Sequence, residues 1–258
     1  MKHFPVCINR YHSRQGGFTL VELAMVLFIL GLLLGGLLVP LSVQIEQRDR
    51  EQTQVQMEEI RDVLYGFTLA TSASGKNRFP CPDCRENGEG TCVTADVGDG
   101  EEDRDAGANN ECKSEVGNLP WVTLGIKGVD AWDQPFTYRV RSEFADDVDG
   151  TGDCTPVTAN ISFALCSTGD IDIYDSDGGT RIAQNVPAVL VSHGKNYPET
   201  PTAHEEENYD DDDVGTDSIG DFVYKDYSED ATAGFDDLVI WISPHVLRAK
   251  MLNAGLLP

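Results

Sequence analysis

Four sets of residues in this sequence have the types and spacing to do chemistry. The first is acidic. Clusters recur at 96–105 (Asp96, Asp99, Glu101, Glu102, Asp103, Asp105), at 146–153 (Asp146, Asp147, Asp149, Asp153), at 170–177, and at Asp210, Asp211, Asp212 and Asp213. Calcium takes about six to eight oxygens around a tight, glycine-relieved turn. Asp147-x-Asp149-Gly150-x-Gly152-Asp153 partly meets that demand, but no glutamate follows at the EF-hand distance. The alternative is that these runs are solvated loops. The second set is the cysteines. Beyond Cys7 there are six: Cys81, Cys84, Cys92, Cys112, Cys154 and Cys166. Cys81-Pro82-Asp83-Cys84 with Cys92 and Cys112 has the makings of a four-thiolate zinc site. A redox CxxC would need a strand–helix context, whereas Phe79-Pro80-Cys81-Pro82 reads as extended loop. The third set, Ser192-His193-Gly194, pairs a nucleophile with a base only on paper, because adjacent residues at a strand end point to opposite faces. With no Gly-x-Ser-x-Gly, His-Glu-x-x-His or phosphate loop, the chain is not expected to be an enzyme. The fourth is a single carboxylate, Glu22, at the mouth of an uncharged run over residues 23–45.

An acid beside an apolar run is costly in lipid, and so it points to function. The run is 23 residues long, against about 20 needed to cross a bilayer as a helix. Lys2, Arg10 and Arg14 precede it with no acid among residues 1–17, a targeting pattern. The positive-inside rule keeps that end cytoplasmic and exports the rest. No small-x-small cleavage site follows the run; the glycine pair Gly16-Gly17 stands before it. The whole chain carries 44 acids against 19 bases, a formal charge of −25. That charge repels phosphates and excludes a nucleic-acid binder. An exported chain meets an oxidising compartment, which favours disulfides over zinc at the cysteines. Cys154 and Cys166 are expected to pair across a hairpin, adding about 2–4 kcal/mol by loop closure.

Gln15-Gly16-Gly17-Phe18-Thr19-Leu20-Val21-Glu22-Leu23 resembles the processing site of type IV prepilins and type II secretion pseudopilins. The resemblance implies cleavage after Gly17 by prepilin peptidase and N-methylation of Phe18. It also implies that Glu22 pairs with the terminal amine of a neighbouring subunit. A buried carboxylate and a buried ammonium each need the other. The implied partners are the peptidase, other pilin or pseudopilin subunits, the inner-membrane assembly platform and the membrane itself. The implied location is the inner membrane, single pass, with the head in the periplasm, or at the cell surface after assembly. Elaborate loops favour a minor subunit, of a type II secretion pseudopilus or a type IV pilus. The alternative is an uncleaved, single-pass periplasmic binding module with a structural metal. Major pseudopilins carry a structural calcium before their last strand, which implies a site in the region of Asp210, Asp211, Asp212, Asp213, Asp217, Asp236 and Asp237, with zinc as the less favoured metal.

The expected architecture is α+β and pilin-like: a long N-terminal helix packed on an antiparallel sheet. Its parts are a leader (1–17), a transmembrane half-helix (18–45), a periplasmic half-helix (46–74) and a globular head (75–258). Residues 46–54 have no apolar member; Met57, Ile60, Val63, Leu64 and Phe67 then return at helical spacing. Pro40 is expected to bend the helix, and the run 71–75 to end it. Expected strands are 136–140, 160–166, 188–192, 221–224 and 238–242, the last of them central, with a final helix over 244–252. Asp130-Ala131-Trp132-Asp133-Gln134-Pro135-Phe136 is similar to a pseudopilin strand start, with Asp133 where glycine is usual. Asn118-Leu119-Pro120-Trp121 and Phe235-Asp236-Asp237-Leu238 resemble further segments of such heads.

Overall fold

A computed structural model describes residues 17–70, 75–86, 88, 90–107, 109–150, 159–197, 203–209, 221–228 and 234–257, with backbone only at 34–42, 203, 207 and 209. The chain divides into two compact units, Met1–Arg48 and Asp49–Pro258.

A helix, α1, runs Leu20–Leu69, and its assignment continues through Pro40. In the first unit the described apolar side chains from Leu20 to Leu33 are exposed. Among the described residues no helix is long and apolar enough to cross a membrane; the uncharged run at 23–45 includes residues 34–42, whose side chains lie outside the description.

In the second unit α1 becomes amphipathic. Thr53, Met57, Ile60, Leu64 and Thr68 are buried at steps of three and four residues, which places them on one helix face. Tyr65 joins them, while the expected Val63 and Phe67 are half-buried.

That face covers a four-stranded antiparallel sheet in the order β1 (Val116–Asn118), β2 (Thr137–Val140), β5 (Ala188–Ser192) and β7 (Leu238–Trp241). A smaller sheet has the order β4 (Arg181–Val186), β3 (Ile171–Tyr174) and β6 (Asp221–Val223). Its β3–β6 pair is parallel, a departure from the all-antiparallel expectation. Short helices α2 (Trp121–Leu124) and α3 (Ala203–Tyr209) and a last helix α4 (Pro244–Asn253) complete the unit.

β5 explains the layering. All five of its residues are buried, because alternate side chains serve two cores. Ala188 and Leu190 join Met57, Ile60, Tyr138 and Met251 in the core under α1 and α4. Val189 and Val191 join Ile171, Ile173 and Phe222 between the sheets. Each such apolar side chain stabilises the fold by about 1.5–3 kcal/mol. β5 and β2 are therefore the inner strands, and β7, expected to be central, lies at the sheet edge.

Residues 160–166 form no strand. Ile161 makes an isolated bridge to Asn77, and Ile161 and Phe163 enter the core directly. Asp133 takes a left-handed φ of 61°, so the conformation that glycine normally serves at this turn is kept with an aspartate.

The loops before β2 are held by charge and sulfur. Arg78, nearly fully buried, forks onto Glu102 at 2.7 and 2.8 Å and reaches Asp147 at 3.2 Å. Disulfides join Cys81 to Cys112 and Cys84 to Cys92.

Candidate functional site

At the N-terminus of α1, Gly17, Phe18 and Thr19 precede the helix. Phe18 is 86% exposed, and nothing stands within 4 Å of where a Gly17 side chain would begin. Thr19 is the N-cap and Glu22 the third helical residue. The Glu22 carboxylate accepts bonds from Thr19 N and Thr19 Oγ1, both 2.9 Å, and Glu22 N donates to Thr19 Oγ1 at 3.2 Å. This is a capping box, which satisfies otherwise orphaned helix N–H groups. Both Thr19 bonds fall on Glu22 Oε2, so Oε1 is the oxygen open to another partner. The Thr19-x-x-Glu22 spacing was legible as a helix start and went unread in the sequence.

The second site is a buried carboxylate cluster at the start of β7. Asp236 and Asp237 meet Glu205 of α3, with one oxygen from each lying within 4.8 Å of the others. Asp236 Oδ2 accepts the N–H groups of Lys195 and Asn196 at 2.9 and 3.3 Å. That approach requires Gly194, which has φ +66°, because a side chain there would meet the Asp236 carboxyl at 2.7 Å. Glu205 Oε1 accepts Asp236 N at 3.0 Å, and Asn208 Nδ2 donates to Asp237 Oδ2 at 2.8 Å. Asp236 Oδ1 is buried without a hydrogen-bond partner.

Burial raises the pKa of Asp236, with the hydrogen-bonded Glu205 adding to it, and burial pushes Asp237 well up. Arg50 approaches, but its Nη1 binds the Asp236 carbonyl at 2.9 Å. His193 Nδ1 lies 3.9 Å from Asp237 Oδ1. Burial lowers its pKa to about 4, so the ring is neutral near pH 7 and its contact with Asp237 is not an ion pair. Three buried carboxylates with an orphaned oxygen are a donor set that fits a hard divalent cation.

Of the residues the sequence assigned to calcium, Asp236 and Asp237 come together here. Asp210, Asp211, Asp212, Asp213 and Asp217 lie outside the described residues. Glu205 was missed; the only trace is the acidic run Glu205-Glu206-Glu207 just before Asp210.

The other acidic clusters are occupied by cationic side chains. Lys113 Nζ sits 2.6 Å from Asp96 and 3.7 Å from Asp103. Asp147 holds Arg78, Asp149 holds Lys76, Asp170 holds Arg139 and Asp172 holds Arg181. Cys84 lies beside Asp96 and Asp103, but its sulfur is in a disulfide. The two bridges divide the CxxC pair, which leaves no thiolate set for zinc or redox chemistry among Cys81, Cys84, Cys92 and Cys112. Cys166 is disulfide-bonded; Cys154 and Cys7 lie outside the described residues. Ser192 Oγ donates to Asp130 Oδ2 at 2.6 Å, while His193 Nε2 meets Thr137 Oγ1 at 2.8 Å, so the two side chains serve different partners.

Residues 12–38 match the prokaryotic N-terminal methylation motif. The match marks a prepilin-type N-terminus. The motif spans Gly17, Phe18, Glu22 and the first half of the helix. No curated protein and no solved structure matches the chain, so its head stands on its own geometry. The prepilin motif implies processing by prepilin peptidase and assembly with other pilins, and the family is structural.

Proposed function

We propose that the chain is a minor pilin or pseudopilin subunit of a type II secretion pseudopilus or type IV pilus. In this reading residues 1–17 are removed by prepilin peptidase, Phe18 is N-methylated, and the first half of α1 anchors the subunit in the inner membrane with its head in the periplasm. The observation that carries the reading is an exposed Gly17-Phe18 junction directly before a capped helix whose described residues 20–33 expose apolar side chains. A helix apolar on its exposed surface must be covered by lipid or by other apolar helices. Packed stems would bring the new Phe18 amine of one subunit to Glu22 Oε1 of the next, cancelling two buried charges and setting register.

Glu205, Asp236 and Asp237 would hold a structural calcium. Once bound, the ion would neutralise the buried carboxylates and tie α3 to the start of β7, with Asn208 and the turn after Gly194 fixing the carboxylates' orientation.

Glu22→Ala tests the assembly step. Leader removal is expected to continue while incorporation into filaments falls at least tenfold, read by shearing filaments from cells and blotting. Unchanged incorporation would show the charge pair to be dispensable.

A further inference from the structure

The bridges Cys81–Cys112 and Cys84–Cys92 differ in what surrounds their sulfurs. The two ends of Cys81–Cys112 are unlike: Cys81 is fully buried, whereas Cys112 is partly exposed. Arg104 Nη1 donates to Cys81 Sγ at 2.9 Å. Its Nη2 donates to Asn110 O and Ala145 O, both at 2.6 Å, which fixes the guanidinium against the sulfur. Glu102 lies 3.3 Å and Asp147 3.6 Å from Arg104, and Arg78 pairs with the same two carboxylates. Two guanidiniums thus balance two carboxylates, and one of them points a donor at sulfur.

Cys84–Cys92 is set differently. Both of its cysteines are buried. Cys84 Sγ lies within 4.8 Å of carboxylate oxygens of Asp96 and Asp103, which share one cation, Lys113. A thiolate released there would face two acids.

Thiol–disulfide exchange needs access to the attacked sulfur and a leaving sulfur that can carry negative charge. A neighbouring arginine stabilises a thiolate, whereas burial beside acids opposes it. Cys112 supplies the access and Cys81 the stabilised leaving group. Cys84–Cys92 supplies neither. With both bridges closed these four cysteines offer no thiolate, so exchange must begin with one from outside.

We propose that Cys81–Cys112 is an exchange site for a dithiol reductant, and that Cys84–Cys92 is a fixed structural link. A thiolate of the dithiol bonds to Cys112 Sγ as the Cys81–Cys112 bond breaks, and the electron pair leaves on Cys81 Sγ beside Arg104. The second thiol of the reductant gives its proton to solvent and displaces Cys112 as a thiolate. The protein gains two electrons, and the dithiol becomes a disulfide. Opening and closing this bridge makes the loops before β2 responsive to the redox state outside. The proposal is independent of how the N-terminus is processed and of the Glu205, Asp236 and Asp237 cluster.

The test treats the full chain, in neutral detergent, with graded dithiothreitol, then alkylates free thiols and maps them by peptide mass. Cys81 and Cys112 are expected to become alkylated about tenfold faster than Cys84 and Cys92. A brief pulse of glutathione is expected to leave its adduct on Cys112 and a free thiol at Cys81. Arg104→Gln is expected to slow the opening about tenfold, and Arg104→Lys to restore most of the rate. A merely structural Arg104 would give the opposite sign, because a loosened loop exposes the bridge and opens faster. Equal rates at all four cysteines, an adduct on Cys81, or faster opening in Arg104→Gln would overturn the proposal. The first two readings need only the unaltered chain, so they decide the matter even where Arg104→Gln fails to fold.

Discussion

Residues 20–33 and residues 53–68 belong to one helix, yet each solves a different burial problem. The lower segment spaces Thr53, Met57, Ile60, Leu64 and Thr68 along one stripe and buries it against the chain's own sheet. The upper segment is apolar, Glu22 aside, and its described side chains are exposed. A stripe specifies an intramolecular partner; an apolar surface all round specifies surroundings that are themselves apolar. Folding and assembly are thereby written into different turns of one element.

The largest expected effect breaks that comparison directly. Met57→Ala should cost about 2–5 kcal/mol in denaturant unfolding of the head, as a cavity-forming core truncation. Leu27→Ala, exposed in the upper segment, should cost the same measurement about 0.5 kcal/mol or less. Equal costs would mean that the upper segment also has an intramolecular partner.

A smaller effect sharpens the head side. Saturating calcium should stabilise the full chain by about 2.7 kcal/mol at a hundredfold excess over Kd, and a chelator should reverse the gain. Asp237→Asn should abolish the response in calorimetry. A melting temperature indifferent to calcium would leave the cluster without an ion.

The smallest effect is on pH. Burial raises Asp83 and Asp146 to about 6, above the value near 3.8 in the unfolded chain. Between those values the folded state binds the protons that the unfolded state releases. Their contribution is therefore present at low pH and lost as pH rises through 6. In saturating calcium the melting temperature should rise by about 2–4 °C from pH 7 to pH 5, and Asp83→Asn should flatten part of that slope.

The sequence made some elements plain and concealed others for identifiable reasons. α1 was legible because an uncharged run, a polar interval and a 3–4 spaced stripe follow one another without a breaker beyond Pro40. β5 and β7 were legible as β-branched runs, but which of them was inner was not, because both are apolar apart from Ser192 at the end of β5. β3 hid inside the acidic run 170–177: Ile171 and Ile173 alternate with Asp172, and the period-2 signal was outweighed by the charge around it. β4 is largely exposed, with Arg181, Gln184 and Asn185 giving no apolar alternation. Glu205 stayed unread because its partners lie 31 and 32 positions away, and nothing local records that α3 meets the start of β7. Gly17, Phe18 and Glu22, in contrast, fall within one short stretch of sequence, so the motif they form could be read without a fold.

The most direct measurement is the intact mass and N-terminal sequence of the protein isolated from its native host. A chain beginning at Phe18 and carrying one added methyl on its amine is the expected result. A chain that retains residues 1–17, or begins at Phe18 with an unmodified amine, would contradict maturation at this site.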